Sequence, residues 1–182
     1  SVGDVFINAD GFKKSIPGPG IGNYVTMGKA AGVIKSILGE ESLKRRSFVQ
    51  AHGTSTPQNR VTESHIFSEI AGAFGIEDWP ITAIKAYLGH SLATASGDQI
   101  AATLGVWAHG VIPGIRTVQQ IADDVHQMHL KFLLEHLEIE PCQMDAALIN
   151  SKGFGGNNAT AAILSPFVTH NMLSKKHGAN AM

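Results

Sequence analysis

Three short stretches of this chain combine residue types that could do chemistry. The first is Ala51-His52-Gly53-Thr54-Ser55-Thr56-Pro57, a histidine placed where an apolar run ends and a hydroxyl-rich loop opens. Strand ends in open α/β sheets are where ligands bind. The hydroxyls of Thr54, Ser55 and Thr56 suit a ligand rich in amides or bearing phosphate. They would equally cap the helix that follows, and taken alone the loop favours capping. The second stretch is Lys85 with Gly89-His90 following, at another change from strand to helix. A histidine at a helix N-terminus meets the positive end of the dipole. That disfavours imidazolium and keeps a neutral ring available as a hydrogen-bond donor. Lys85, at the end of an apolar strand, would be partly buried and need an anion. Glu63, one turn into the helix after the His52 loop, is the candidate partner. In isolation this stretch reads more simply as a solvated lysine and a helix-start histidine.

The third stretch is Asn150-Ser151-Lys152-Gly153-Phe154-Gly155-Gly156-Asn157-Asn158. Its glycines have incomplete spacing for a dinucleotide fingerprint, and a strand follows them, so a Rossmann reading fails on context. They fit a tight turn whose backbone N–H groups approach a ligand closely, or a plain hairpin turn. Nine histidines raise the question of a metal. There is no His-Glu-x-x-His or Cys-x-x-Cys pattern, and His52 and His90 lack a carboxylate at ligand spacing, so no metal site is expected. His65, His109, His126, His129, His136, His170 and His177 are scattered, and most of them read as solvated surface residues. Cys142, the one cysteine, lies neither at a helix N-terminus nor beside a clear cation, and reads as structural.

These residues need elements to position them. Short apolar runs alternate with amphipathic stretches, as in an α/β layer protein. Strands are expected at residues 5–7, 47–51 and 80–84, with an antiparallel pair at 146–150 and 159–164. Residues 13–22 read as a loop broken by Pro17, Pro19 and several glycines. A helix is expected over 23–38, with Asn23 as N-cap, an apolar stripe of Val25, Ala30, Val33, Ile34 and Ile37, and a stop at Gly39. A second covers 59–74, with Ile66, Ile70 and Phe74 on one face and Gly75 ending it. A third covers 91–108, with Leu92, Ile100, Leu104 and Trp107 inward. Residues 1–166 read as one domain, and 167–182 as a loose extension.

Composition narrows the function classes. The chain has 182 residues, 43% hydrophobic and 16% charged, enough for a sizeable core and far from a disordered tail. Fourteen Lys and Arg against 15 Asp and Glu leave a net charge of −1. Such a chain has no bulk electrostatic reason to hold nucleic acid or an anionic membrane. One cysteine excludes an internal disulfide framework and agrees with a reducing cytoplasm. The longest apolar stretch, residues 100–108, is interrupted by Thr103 and Gly105 and falls short of the roughly 20 residues a membrane span needs. No basic region followed by an apolar run marks a secretory signal.

Together the motifs carry a resemblance. His52-Gly53-Thr54-Ser55-Thr56-Pro57, then Glu63, Lys85, Gly89-His90 and Asn150-Ser151-Lys152-Gly153-Phe154-Gly155-Gly156 resemble, in order and spacing over residues 20–165, the C-terminal half of β-ketoacyl-acyl carrier protein synthases. These are the condensing enzymes of fatty acid and polyketide assembly. The resemblance implies half of a thiolase-like α/β fold, a mixed five-stranded sheet with helices packed on it. It implies that His52 and His90 promote decarboxylation of a malonyl thioester and stabilise the enolate. Lys85, paired with Glu63, would hold His90 in place. Thr54 and Thr56 match positions that bind the phosphopantetheine arm. The Phe154 N–H, within the glycine loop Gly153, Phe154, Gly155 and Gly156, matches an oxyanion-hole donor, and its ring a gate to the acyl pocket. The partners implied are acyl carrier protein, or coenzyme A thioesters, and an N-terminal half carrying the nucleophilic cysteine. The full-length enzyme would be a cytoplasmic homodimer, and no cofactor is implied.

The chain departs from the family pattern in four places. Arg60 stands where Asp is frequent, Lys152 where Phe is common, Ala93-Thr94-Ala95-Ser96 where Gly-Ala-Ala-Gly is usual, and Gln99 where Glu usually follows. A divergent branch is expected, acting as the C-terminal part of a longer enzyme and unable alone to form an acyl-enzyme. Two other functions fit the motifs less well: a non-catalytic partner of the chain-length-factor type, and a stand-alone pantetheine-binding module. A non-catalytic partner has no chemical need for both histidines and Lys85.

Overall fold

The computed structural model describes residues 1–11 and 20–178, so most of the loop expected at 13–22 lies outside the described residues. The described chain runs β1 (Val2–Ala9), α1 (Ile21–Leu38), α2 (Glu40–Arg45), β2 (Ser47–Gln50), α3 (Pro57–Phe74), β3 (Trp79–Thr82), α4 (Lys85–Leu88) and α5 (Ala95–His109). It continues through β4 (Val111–Ile112), β5 (Leu130–Phe132), β6 (Leu137–Glu138), β7 (Ala146–Gly153), β8 (Asn157–Leu164) and α6 (Pro166–His177). The main sheet has the order β1-β8-β7-β2-β3-β5, six strands where five were expected, the three-residue β5 forming one edge. It is mixed. β1 and β7 are antiparallel to β8, whereas β7, β2, β3 and β5 run parallel.

Period-two burial divides the core between the two faces of the sheet. Val49, Ile81 and Leu148 point to one face and pack with Met27 and Ile34 of α1 and Phe67 of α3. Phe48, Ile149 and Ile163 point to the other and pack with Val106 and Trp107 of α5. β2 is buried along its whole length, which explains its run of Phe48 and Val49 in the middle of the sheet. Each fully buried side chain of the size of Phe67 or Ile34 contributes about 1.5–3 kcal/mol.

Several local expectations are corrected. α1 starts at Ile21, so Asn23 is not its cap but a fully buried residue within its first turn, hydrogen-bonded to Asn150. The buried face of α1 is Asn23, Thr26, Met27, Ala30, Ala31 and Ile34, leaving Ile37 exposed. β3 stops at Thr82, and Lys85 opens a one-turn helix instead of ending the strand. Leu92 lies in a 3-10 turn (Leu92–Thr94) before α5 and is exposed. Within α5 the buried face runs through Ala95, Gln99, Thr103, Val106 and Trp107, which leaves Leu104 outside it. Beyond the sheet, residues 166–177 are helical, capped by Ser165 Oγ accepting from Val168 N, with none of them buried.

The topology decides where a site can form. β2, β3 and β7 are parallel, so their C-terminal ends meet at one edge of the sheet. His52 follows β2, Lys85 follows β3, and Lys152 with the glycine turn closes β7.

Candidate active site

At that edge lies a cleft of about 1210 Å³ whose wall includes His52, Thr54, Thr56, Lys85, His90, Lys152, Gly153 and Phe154. The imidazoles of His52 and His90 lie 5.3 Å apart, centroid to centroid, with their planes at 81°. The motifs read separately from the sequence therefore share one cavity.

His52 is 3% exposed. Its Nδ1 accepts from the backbone N–H of Lys152 at 3.3 Å, across the β2–β7 edge. His90 is exposed, and its Nδ1 accepts from the backbone N–H of Leu92 at 3.0 Å. An Nδ1 that accepts puts the proton of the neutral ring on Nε2, so each histidine offers an Nε2–H donor. Burial drives the His52 pKa down to about 4. The Lys85, His90 and Lys152 charges push the same way against the opposing pull of Glu63. His90 is also held below the ordinary histidine range, by partial desolvation and then by Lys85. Both rings are neutral at neutral pH.

Glu63 is where the structure departs most from the expected pairing. Its carboxylate accepts from His52 N at 2.7 Å, Gly53 N at 2.9 Å, Asn59 Nδ2 at 3.0 Å and Asn150 Nδ2 at 2.7 Å. No hydrogen bond or ion pair joins it to Lys85. Glu63 is thus the anchor of the His52 loop, and it touches Lys85 only through its field. The Lys85 Nζ is buried with no hydrogen-bond partner among the described residues. Burial lowers its pKa, while Glu63 and Asp98 oppose the shift.

The loop itself is tightly shaped. Gly53 has φ +59, and a Cβ there would lie 2.5 Å from Ala83 Cβ, so only glycine fits between β2 and β3. Thr56 precedes α3 as its N-cap residue but makes no side-chain cap. Pro57 stands in the first turn instead, which leaves the Thr54 and Thr56 hydroxyls, 3.4 Å apart, on the cleft wall. The capping reading of these hydroxyls is not realised. In the glycine turn, Gly153 and Phe154 line the cleft but Gly155 and Gly156 do not. Gly155, at φ +78, makes the reversal, and the Gly156 carbonyl accepts from Asp10 N and Asn158 Nδ2. Phe154 is 75% exposed, its ring standing at the cleft wall.

Other residues sort themselves by distance. Cys142 is exposed rather than packed as a structural residue. It precedes β7, whose C-terminal end carries Lys152, so roughly 23 Å of strand separates it from the site. His65 is not a free surface histidine: its Nδ1 lies 2.8 Å from Tyr24 Oη and its ring packs on His126. Among the described residues no group of three or more His, Cys, Asp or Glu could hold a metal ion, and no helix is long and apolar enough to cross a membrane.

The sequence reading gave no role to Asn59 and Asn150, the two amides on Glu63. Asn59 lies one turn before Glu63 on α3, a spacing that could have revealed it. Asn150 lies in a motif already singled out, yet its partners Asn23 and Glu63 are distant in sequence. The departures gain contacts too. Arg60 forms a two-pronged pair with Asp124, both bonds 2.8 Å. Gln99 is fully buried against backbone carbonyls of β2 and β7.

Comparison with known proteins places this geometry. The family described as "Beta-ketoacyl synthase, C-terminal domain" matches residues 4–119, a span that holds His52, Glu63, Lys85 and His90. The chain is 53% identical over 178 residues to the β-ketoacyl-[acyl-carrier-protein] synthase FabY of Pseudomonas aeruginosa, covering 98% of this chain and 28% of that protein. The crystal structure of the P. aeruginosa ketosynthase FabY aligns with 99% of this chain and 28% of its own, with a TM-score of 0.94 at 53% identity. The 3-oxoacyl-[acyl-carrier-protein] synthase 1 of Escherichia coli K12 is 33% identical over 113 residues, 62% of this chain and 26% of that protein. The chain thus spans between a quarter and a third of the length of these relatives, 28% and 26%.

Proposed function

The chain belongs to the β-ketoacyl synthase family, as its C-terminal domain, and from that membership we propose that it supplies the decarboxylation and condensation machinery of a β-ketoacyl-acyl carrier protein synthase. One observation carries the reading. Two neutral imidazoles, each with its Nδ1 held by a backbone N–H, offer paired Nε2–H donors to one cleft.

The chemistry follows from that arrangement. A malonyl thioester on a phosphopantetheine arm enters along Thr54 and Thr56. The bond from its α-carbon to the carboxylate breaks, CO2 leaves, and the electron pair forms an enolate. The negative oxygen accepts from His52 Nε2–H and His90 Nε2–H, donors already in place before the charge develops. Low pKa values keep both rings as neutral donors through the step. The enolate carbon then attacks an acyl thioester carbonyl, a new carbon–carbon bond forms, and the thiolate departs. The Phe154 N–H takes the oxyanion of that attack, and the Phe154 ring gates the acyl side. Lys85 supplies a fixed positive field beside both rings. The attacked thioester is carried by a cysteine of an N-terminal half that completes the enzyme; Cys142, at the opposite end of β7, cannot serve. Acyl carrier protein is the substrate-bearing partner, and the complete enzyme works as a cytoplasmic homodimer.

The test uses the full-length enzyme with malonyl-acyl carrier protein, reading CO2 release and condensation separately. His52→Ala and His90→Ala should each lower CO2 release at least 100-fold, the scale set by loss of one oxyanion donor. Wild-type release in either variant overturns the assignment.

A further inference from the structure

If the two Nε2–H groups act on one oxygen, their separation is the property on which catalysis depends. One side chain outside the cleft wall ties together the segments that carry them. Gln99 is fully buried on α5. Its Nε2 lies 3.1 Å from the Gln50 carbonyl, 2.8 Å from the Ala51 carbonyl and 3.1 Å from the Asn150 carbonyl. Three acceptors can face only the nitrogen of the amide, which fixes its orientation.

Each carbonyl belongs to a strand end that matters. Ala51 immediately precedes His52. Asn150 lies two residues before Lys152, whose N–H holds His52 Nδ1. α5 itself is entered from His90 through Ser91 and the Leu92–Thr94 turn. Thr103 Oγ1 donates to the Gln99 carbonyl at 2.8 Å, steadying the same stretch of helix. Among the described hydrogen bonds, no other side chain joins α5 to both β2 and β7.

We infer that Gln99 is a positioning residue for the imidazole pair: its amide fixes the His52 strand end, and the β7 backbone that holds His52 Nδ1, against the helix led in by His90. The inference rests on the reading that both imidazoles serve one substrate oxygen. Chemistry explains why an amide stands here. An ionised carboxylate at zero exposure would set its lone pairs against three carbonyl oxygens unless a cation stood between them. An apolar side chain would give them no donor, and only the amide supplies the N–H groups itself.

The experiment compares wild type, Gln99→Met and Gln99→Glu in the full-length enzyme, in Tris buffer free of alkali cations. Gln99→Met should lower kcat for condensation tenfold or more, with KM for malonyl-acyl carrier protein within twofold, because the Thr54 and Thr56 contacts are untouched. In protein labelled with 15N-imidazole histidine, assigned through His52→Asn, the His52 ring should shift from one Nε2–H tautomer to a mixture. Gln99→Glu should lose activity at pH 8 and regain part of it near pH 6, where the buried carboxyl is protonated and its O–H replaces one donor. A folded Gln99→Met with wild-type kcat and an unchanged His52 tautomer overturns the inference. Should Gln99→Met fail to fold, wild-type activity of Gln99→Glu at pH 8 overturns it equally. The tautomer signal does not depend on turnover, so an inactive wild type with a Gln99-dependent tautomer would count against the proposed reaction and not against the positioning.

Discussion

His52 and His90 present the same tautomer to one cleft, yet the molecule holds them in opposite ways. His52 is 3% exposed, its ring held by a backbone N–H 100 positions away and its loop by a carboxylate that accepts four bonds. His90 is exposed, its ring held by the N–H two residues on, between the exposed side chains of Leu88 and Leu92. The contrast separates two things that a histidine held as a hydrogen-bond donor needs. The tautomer is set by a single backbone donor, which a local turn supplies as well as a distant strand. Rigidity and a deeply lowered pKa require burial, and only the β2 side of the site has that.

The largest effect should therefore come from Glu63 and not from either imidazole. Glu63→Ala leaves four donors facing a void, two of them backbone N–H groups of the His52 loop. Each buried unsatisfied donor costs about 1–3 kcal/mol, against a total stability of about 5–15 kcal/mol for a typical domain. Denaturant unfolding of Glu63→Ala should show a loss of several kcal/mol, or no folded protein. Glu63→Gln should fall between, since one amide N–H2 must then face N–H donors. His90→Ala, at an exposed position, should stay within about 0.5 kcal/mol of wild type. Equal losses in Glu63→Ala and His90→Ala would erase the contrast.

Glu63 also marks the limit of what the sequence could tell. The strand ends and the α/β class were legible because residue types and local spacing carry them, whereas the grouping of His52, Lys85, His90 and Phe154 was legible only through the family resemblance. Glu63 was legible as important but not in its role. Its partners come from α3, the His52 loop and β7, and a lysine near the same strand end was the simplest anion partner to imagine. Asn23 was misread for a related reason. A polar residue near a helix start looks like a cap, but here it is buried to reach Asn150 on another element. Leu92 and Leu104 were expected inward with Trp107, but Leu92 falls in a turn before α5, and the buried face of α5 includes the polar Gln99 and Thr103 and leaves Leu104 out. Sequence patterns report on neighbours along the chain; buried polar networks depend on neighbours across it.

A second prediction uses pH. His52 has a folded pKa of about 4 against an unfolded value of about 6.5. Between these values the unfolded chain binds the extra proton, so stability is full above pH 6.5 and declines as pH falls toward 4. The difference of about 2.5 units corresponds to at most roughly 3–3.5 kcal/mol. Thermal unfolding from pH 8 to pH 4.5 should show a falling midpoint in wild type and a shallower fall in His52→Asn, which has no ring to protonate. His90→Asn should leave the slope close to that of wild type. A steeper change on removing His90 than on removing His52 would place the buried, titrating ring on the wrong side of the site.

The smallest effect is expected where the charge pairing looks most complete. Arg60 and Asp124 meet through two 2.8 Å bonds, with side chains 33% and 44% exposed. Glu63, by contrast, meets only neutral donors and is 4% exposed. If formal charge pairing decided the weight of a carboxylate, Asp124→Asn would be the more damaging change. If burial decides it, water and salt replace most of what Arg60 provides, and Asp124→Asn should shift the unfolding midpoint little. What should change is local. Hydrogen exchange of residues 120–126 should quicken, because the pair ties that loop to α3, while exchange at the His52 loop stays slow. An unfolding shift in Asp124→Asn matching that of Glu63→Gln would mean that the exposed pair, and not the buried network, carries the fold on this side of the sheet.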